Sequence, residues 1–178
     1  LKSGIKYAVL GGVLGGFMVV FFICVAFLMS DKLYSAKELK NRYRIKILGT
    51  MPIRRKKPMG KIDAWLNRME GNADTGYGLI TANIRNYAEN MKTILVTGTA
   101  DEAVLSEVTD RLAAGLAGIR VMAGGNMLQD AETLKKLPEC DGVVLVEQCM
   151  DAKYSTVAME IERVTDLQKS VIGCIVFE

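Results

Sequence analysis

The feature that most constrains this chain is an uncharged apolar run near its N-terminus. From Tyr7 to Met29 the sequence reads YAVLGGVLGGFMVVFFICVAFLM, 23 residues without a charged side chain. A bilayer core of roughly 30 Å needs about 20 apolar helical residues, so the run is long enough to span a membrane. A secretory signal peptide has a shorter apolar stretch and a cleavage site of small residues, whereas a basic segment follows here. The run therefore predicts a transmembrane helix.

The charges are distributed unevenly along the 178 residues, although the formal net charge is only +3. Residues 31–61 hold eleven Lys and Arg against two acidic residues, a net +9, and residues 62–178 hold ten against eighteen, a net −8. The positive-inside rule places the basic segment on the cytoplasmic side of the cell membrane. Residues 31–178 are therefore predicted to be cytoplasmic. Because the chain begins with Leu1, we expect it to be the tail of a longer protein.

The composition excludes two classes of protein. Half of the residues are hydrophobic and the mean hydropathy is +0.19, so intrinsic disorder is excluded as the main state. The sequence contains no histidine, which excludes catalysis that depends on an imidazole base or ligand.

Glycines within the apolar run have the spacing of a helix-packing face. Gly11 and Gly15 lie four residues apart, as do Gly12 and Gly16. Small residues at this spacing allow two helix backbones to approach closely in a membrane. General glycine enrichment in membrane helices is the alternative interpretation, but two adjacent pairs favour a packing face and hence a homo-oligomer.

The basic segment contains a cluster formed by Arg54, Arg55, Lys56 and Lys57. Beside a cytoplasmic leaflet, each such cation gains about 1 kcal/mol from anionic lipid. The cluster therefore predicts contact with anionic membrane lipid, and a simple topology determinant that touches lipid is sufficient to explain it. Nucleic acid is not an expected partner, because the rest of the cytoplasmic part is acidic and would repel phosphate.

The junction that follows the apolar run has a recognisable order of motifs. Asp31 is followed by a helix start at Ser35 with Glu38 and Leu39, which fits a capping box, and then by Leu48-Gly49 and Pro52. These positions resemble the C-terminal end of the bacterial chain-length determinant family, the polysaccharide co-polymerases. The resemblance covers about the first 52 residues and implies that Tyr7–Met29 is the second membrane helix of such a protein.

Beyond a Gly/Asn/Asp hinge at 71–78, apolar strands alternate with amphipathic helices. The predicted strands are Thr93–Thr97, Ile119–Ala123, Val143–Val146 and Val171–Val176, and the predicted helices are Leu79–Asn90, Glu102–Leu116, Asp130–Leu137 and Tyr154–Leu167. Continuous apolar strands between such helices are typical of a parallel sheet that is covered on both faces. The predicted fold class is therefore α/β, with a transmembrane helix followed by a small parallel-sheet domain.

The loop after the first of these strands is where such a fold binds phosphates. A P-loop needs the pattern Gly-x-x-x-x-Gly-Lys-Ser/Thr, in which the lysine contacts the phosphates and the hydroxyl contacts magnesium. Here the stretch is Gly98-Thr-Ala-Asp-Glu-Ala-Val-Leu-Ser106, and Val104 or an uncharged neighbour occupies the lysine position. Asp101 and Glu102 stand at the helix start, where they can satisfy its free N–H groups themselves. The pattern predicts a lost nucleotide site, with no catalytic residues, no metal and no cofactor.

Several stretches of this domain resemble the bacterial tyrosine kinases of polysaccharide export, which share the fold of the septum-site and partitioning ATPases. Those kinases carry Thr-Ser-x-x-Pro-Gly-Glu-Gly-Lys-Ser/Thr at the loop, of which only Thr97 and Glu102 remain here. The matching stretches are Asp141–Glu147 (Asp-Gly-Val-x-Leu-Val strand), Gln168–Val176 (Ile-Gly-x-Val strand) and Asp130-Ala131 (Asp-Ala helix start). The resemblance covers residues 79–178 and implies a P-loop-ATPase-like, degenerate kinase domain. The catalytic residues of the family do not carry over.

The remaining reactive side chains have structural interpretations. Cys24 lies in the apolar run, and Cys140, Cys149 and Cys174 are expected to stay reduced in the cytoplasm. None belongs to a C-x-x-C pair, so buried hydrophobic side chains are favoured over a zinc site. Asp141 and Glu147 are candidates for an acid/base pair, but a structural role is favoured. Tyr154-Ser155 is a candidate modification site, and a helix start is the favoured alternative.

Together these features predict a transmembrane helix at 1–30, a basic juxtamembrane linker at 31–78 and a degenerate kinase-like domain at 79–178. The resemblances imply a membrane-anchored, non-catalytic component of capsular polysaccharide, exopolysaccharide or lipopolysaccharide biosynthesis. It would regulate chain length or export through contacts with a polymerase, a cytosolic tyrosine kinase or its own copies. Two alternatives stay open: an active ATP-binding tyrosine kinase or ATPase of the same pathway, and a membrane-tethered regulator unrelated to polysaccharide.

Overall fold

The chain forms two compact units, Leu1–Asp31 and Lys32–Glu178. A computed structural model describes the backbone of residues 2–53 and 73–178, and the side chains of residues 11–27, 29–53 and 76–178. The basic cluster at 54–57, which is predicted to contact lipid, lies outside the described residues.

The N-terminal unit contains a helix, α1, which runs from Lys2 to Leu28. Most of its described side chains are exposed, and a Cβ atom added at Gly11, Gly12, Gly15 or Gly16 would meet no described atom within 4 Å. Within the described part of the chain, no helix is both long enough and apolar enough to cross a membrane. The structure therefore shows a helix over the apolar run but does not confirm the predicted transmembrane helix.

The second unit is built on a parallel sheet of five strands in the order β1-β5-β4-β2-β3. The strands are β1 (Ile47–Met51), β2 (Thr93–Thr97), β3 (Arg120–Ala123), β4 (Gly142–Gln148) and β5 (Ser170–Phe177). In β4 every residue from Gly142 to Glu147 is buried, because helices cover both faces of the sheet. The predicted α/β fold with a parallel sheet is confirmed, and all four predicted strands are present.

The described helices of this unit divide between the two faces of the sheet. They are α2 (Ala36–Tyr43), α3 (Ala73–Tyr87), α4 (Glu102–Gly115), α5 (Ala131–Lys136) and α6 (Tyr154–Asp166), with a 3-10 turn at Leu137–Glu139. Ile84 of α3 and Val108 of α4 belong to one core, together with Val96 and Val146 of the sheet. Leu39 of α2 and Val157 of α6 belong to a second core on the other face, together with Leu95 and Leu145. Alternate residues of β2 and β4 thus feed two separate cores, as the two-residue repeat of a strand requires.

Part of the predicted linker belongs to the sheet. β1 pairs in parallel with β5, and the side chain of Leu48 is only 1% exposed. Upstream, the N–H of Leu33 donates to the carbonyl of Ala152 at 2.8 Å, and the carbonyl of Leu33 accepts from the N–H of Met150 at 2.8 Å. The compact unit therefore starts at Lys32, whereas the sequence predicts a domain boundary at residue 79. The difference arises because β1 is stabilised by pairing with the last strand of the chain.

The predicted start of α2 at Ser35 is present, but the capping box is incomplete. The Oγ of Ser35 accepts a hydrogen bond from the N–H of Lys37 at 3.2 Å. In a capping box the glutamate returns to the N-cap N–H, whereas the carboxylate of Glu38 accepts a hydrogen bond from the hydroxyl of Tyr154 on α6. The carboxylate of Glu38 thus links α2 to α6 and does not cap the N-terminus of α2.

Candidate functional site at the carboxyl edge of the sheet

The loops after β2 and β4 diverge at the carboxyl edge of the sheet. β2 leads into α4 on one face, and the adjacent β4 leads into α6 on the other face. In open α/β sheets, ligands bind outside the carboxyl ends of two such strands, at the topological switch point. The crevice between the carboxyl ends of β2 and β4 is therefore the candidate site, and it includes the loop at 98–101 that would be the P-loop.

The loop after β2 lies directly on the end of β4. A Cβ atom added at Gly98 would lie 2.0 Å from the carbonyl oxygen of Val146, so any residue other than glycine would push the two backbones apart. The N–H of Ala100 donates to that same carbonyl at 3.3 Å. Because Gly98 has no side chain, the backbone of the loop after β2 packs directly against the backbone of β4. This close contact leaves no space for a phosphate between them.

Thr99 connects this loop to the end of β4 through both of its donor groups. Its hydroxyl donates to Oε2 of Glu147, and its N–H donates to Oε1 of the same carboxylate at 3.4 Å. Glu147 is fully buried, so its carboxylate depends on such partners. The N–H groups of Thr99 and Ala100, which a P-loop would direct at phosphate, are both directed at β4 instead.

The start of α4 carries no cation. Val104, at the position where a P-loop holds its lysine, is partly buried and packs against the core beneath α3 and α4. Asp101 occupies the N-cap position, as predicted, but its exposed side chain makes no hydrogen bond to the first turn of α4. The prediction that this carboxylate satisfies the free N–H groups directly is therefore wrong for Asp101. Asp101 and Glu102 still place two carboxylates at the helix N-terminus.

A second buried carboxyl group, that of Glu160 on α6, lies beside Glu147. Glu160 is fully buried, and neither of its carboxylate oxygens has a hydrogen-bond partner among the described residues. Burial, and then the neighbouring charge of Glu147, raises the pKa of Glu160 to about 10. Burial raises the pKa of Glu147 as well. Glu160 is therefore protonated at neutral pH, and its hydroxyl can donate to Glu147.

Glu147 and Glu160, which we call the carboxyl pair, therefore form a structural link between the loop after β2, strand β4 and helix α6. Sequence reasoning missed Glu160 and the role of Thr99. A usable signal exists for Glu160, because it lies three residues after Val157 and four before Val164, on the apolar stripe of α6. An acidic residue on such a stripe indicates a buried carboxyl group with a specific partner.

Asp141 and Glu147 do not form an acid/base pair, because they lie at opposite ends of β4. Asp141 accepts hydrogen bonds from the N–H groups of Lys92 and Thr93 at 2.8 and 2.9 Å. These two bonds lower the pKa of Asp141 and fix the start of β2. The favoured structural interpretation is thus confirmed for Asp141.

The loop after β3 is also closed by internal hydrogen bonds. The hydroxyl of Thr97 donates to the carbonyl of Gly125 at 2.6 Å, and the N–H of Gly125 donates to Oγ1 of Thr133 at 2.7 Å. Asp130 is the N-cap of α5, as predicted, and accepts from the N–H groups of Glu132 and Thr133. A hydrogen bond from the Thr133 hydroxyl makes the largest contribution to lowering the pKa of Asp130. These hydrogen bonds thus fix the conformation of the loop after β3, which also lies at the carboxyl edge of the sheet.

The remaining candidates have structural roles in the described residues. Cys140, Cys149 and Cys174 are buried free thiols, as predicted, and the described part of the chain contains no group of three or more Cys, Asp or Glu that could hold a metal ion. Tyr154 begins α6 as predicted. Burial, and to a smaller extent the hydrogen bond to Glu38, raises the pKa of its hydroxyl to about 12.

Comparison with known proteins supports the fold and leaves the family open. No family model matches the chain, and no curated protein matches it. Sixteen chains of solved structures do match, and one of them is titled "BceF Tyrosine Kinase Domain". The two share 12% sequence identity over 82% of this chain and 98% of that chain, with a TM-score of 0.56. The α/β fold of this chain is similar to the fold of that domain. At this identity the similarity concerns the fold alone.

Proposed function

We propose that this chain is a non-catalytic component of a bacterial polysaccharide assembly system, with its α/β unit acting as a binding platform. The observation that carries the proposal is the loop after β2. Its N–H groups at Thr99 and Ala100 point at Glu147 and Val146, and Val104 stands where a P-loop has its lysine. A nucleotide triphosphate would meet the carboxylates of Asp101 and Glu102 instead of a cation.

We further propose that the apolar run Tyr7–Met29 anchors the platform in the cell membrane, with residues 31–178 in the cytoplasm. The length of the run and the net +9 of residues 31–61 support this orientation. Anionic lipid at Arg54–Lys57 and a homo-oligomer formed through Gly11, Gly12, Gly15 and Gly16 complete the proposed contacts. The polysaccharide context rests on the resemblance to chain-length determinants and to the export kinases, and it implies a polymerase or a cytosolic kinase as partner.

A nucleotide titration tests the non-catalytic proposal. The full chain in non-ionic detergent is titrated with ATP and Mg²⁺ by calorimetry, and we expect no binding up to millimolar ATP. Micromolar binding would overturn the proposal. A thermal-unfolding scan with and without Mg-ATP is an independent check, because a ligand that binds only the folded state raises the midpoint of unfolding.

The second candidate is an active tyrosine kinase or ATPase, and the similarity in fold to the BceF tyrosine kinase domain favours it. It predicts both micromolar ATP affinity and transfer of the γ-phosphoryl group to tyrosine or water. The polysaccharide context is tested separately by deleting the gene in its host and measuring the length distribution of surface polymers. An unchanged distribution would favour a membrane-tethered regulator unrelated to polysaccharide.

A further inference from the structure

Helix α2 carries a row of exposed cations. Ala36 and Leu39 bury one side of the helix in the second core. Lys37 and Lys40 are three residues apart and therefore share another side of the helix, and Arg44 follows four residues later at the C-cap. All three side chains are exposed, and none forms an ion pair with the described residues. We call these three residues the α2 stripe.

The acidic residue of α2 lies away from the α2 stripe. The carboxylate of Glu38 accepts a hydrogen bond from the hydroxyl of Tyr154 on α6. Arg42 is four residues after Glu38, and its guanidinium lies 4.9 Å from the ring centre of Tyr154. Glu38 and Arg42 are thus both directed at α6, so the carboxylate does not neutralise the cations of the stripe.

The charge around α2 is opposite to that of the rest of the α/β unit. Residues 32–46 contain six Lys and Arg and one acidic residue, whereas residues 73–178 contain nine Lys and Arg and sixteen acidic residues. An anionic surface attracts the first part and repels the second, so the uneven charge favours one orientation of the unit at such a surface. The α2 stripe is therefore the side on which the unit can approach a polyanion.

The position of the α2 stripe in the chain favours a membrane over a polyanion in solution. Residues 30–36 separate the apolar run from Lys37. An extended chain spans at most about 3.5 Å per residue, so the proposed anchoring would keep Lys37 within roughly 30 Å of the bilayer surface. Lipid headgroups would then be present at a high effective concentration, whereas a nucleic acid would have to arrive from solution.

We propose that Lys37, Lys40 and Arg44 bind the headgroups of anionic lipid and hold the α2 side of the α/β unit against the membrane. Ammonium and guanidinium groups both bind lipid phosphate and carboxylate groups. The inference rests on the proposed membrane anchoring, and it adds a lipid contact on the folded unit to the one proposed for Arg54–Lys57. Because α3 and α4 cover the other face of the sheet, this orientation leaves them available to cytoplasmic partners.

Energy transfer from a dye on α2 to the lipid headgroups tests the proposal. The double variant Asn41→Cys and Cys24→Ala has one accessible thiol, on the exposed side of α2, because the other three cysteines are buried. The labelled full chain is incorporated into nanodiscs with an acceptor on a trace of the headgroups, made either of phosphatidylcholine alone or with added phosphatidylserine. We expect transfer to be at least about twofold more efficient in the anionic discs, and the difference to disappear at high salt.

Removing the cations of the α2 stripe should abolish this difference. The triple variant Lys37→Gln, Lys40→Gln and Arg44→Gln should lower the transfer in anionic discs to the value in neutral discs, with unchanged far-UV circular dichroism. The matched control removes the same charge from exposed positions before β2, on β3 and on α5, with the substitutions Lys92→Gln, Arg120→Gln and Lys135→Gln. It should keep the difference between the two kinds of disc.

Equal transfer in neutral and anionic discs would overturn the proposal. So would a difference that the variant of the α2 stripe keeps, since another part of the chain would then hold the unit at the lipid. A chain that does not stay with neutral discs during purification would contradict the membrane anchoring itself, and this inference with it. If a short DNA duplex changes the emission of the dye in neutral discs while anionic lipid does not, the partner is a nucleic acid and the proposal is wrong.

Discussion

The hydroxyl and the N–H of Thr99 both donate to the buried carboxylate of Glu147, which joins the loop after β2 to the end of β4. These two strands bound the crevice in which an α/β sheet of this topology binds its ligand. The two hydrogen bonds of Thr99 therefore lie in this crevice and fix the loop after β2 to the end of β4.

Replacing Thr99 by valine tests this link. Thr99→Val keeps the shape of the side chain and removes the hydroxyl donor, so the carboxylate of Glu147 stays buried with one partner fewer. The expected cost is about 1–3 kcal/mol in the free energy of unfolding. Urea denaturation of the full chain measures it. Thr165→Val, at an exposed position near the end of α6, is the matched control and should change stability by less than about 0.5 kcal/mol. Equal losses in the two variants would show that Thr99 contributes nothing specific.

The carboxyl pair makes stability fall as the pH rises. The pKa of Glu160 is about 10 in the folded state and about 4.3 in an unfolded chain, so between these values the folded state binds more protons than the unfolded state. The stabilisation is complete below the unfolded pKa and is lost as the pH rises towards the folded pKa. The lowered pKa values of Asp130 and Asp141 affect stability only at more acidic pH.

Glu160→Gln should remove this pH dependence. Glutamine can still donate to Glu147 but does not titrate, so the free energy of unfolding should lose a slope of roughly 1 kcal/mol per pH unit between pH 5 and 8. Denaturation curves at four pH values across this range provide the measurement. Glu162→Gln, on the exposed side of the same helix, should keep the slope of the unmodified chain. If both variants keep that slope, Glu160 is ionised in the folded state and the carboxyl pair is not as described.

The alternation of strands and helices beyond residue 79 could be predicted because each element is defined by local periodicity. β1 could not, because its five residues become a strand only by pairing with β5 at the far end of the chain. The candidate site at the carboxyl edge was likewise predictable only where it depends on local sequence. The missing lysine at Val104 is visible in the sequence, whereas the bond between Thr99 and Glu147 depends on how closely Gly98 lets two backbones approach.

Leu48 tests whether β1 is part of the core. Its side chain is 1% exposed and contributes to the core beneath α3 and α4, so Leu48→Ala should cost about 2–5 kcal/mol in the free energy of unfolding. Leu79→Ala removes the same atoms from a side chain on α3 that is 65% exposed, and it should cost less than about 1 kcal/mol. Urea denaturation of both variants compares them directly. Equal effects would place residues 47–51 outside the folded unit, as a linker.

The glycines of α1 provide the test of the proposed oligomer. Gly11 and Gly15 offer open space beside the helix, which a second helix can fill only while both side chains are absent. Replacing both by leucine in the full chain should weaken self-association in membranes by at least tenfold, which corresponds to about 1.4 kcal/mol. Cross-linking in isolated membranes at graded expression levels measures this change. Val13→Leu with Val20→Leu is the control pair, because it adds comparable bulk at positions that already carry side chains. If the glycine variant and the control cross-link equally, the glycines are not a packing face, and any oligomer forms through another part of the chain.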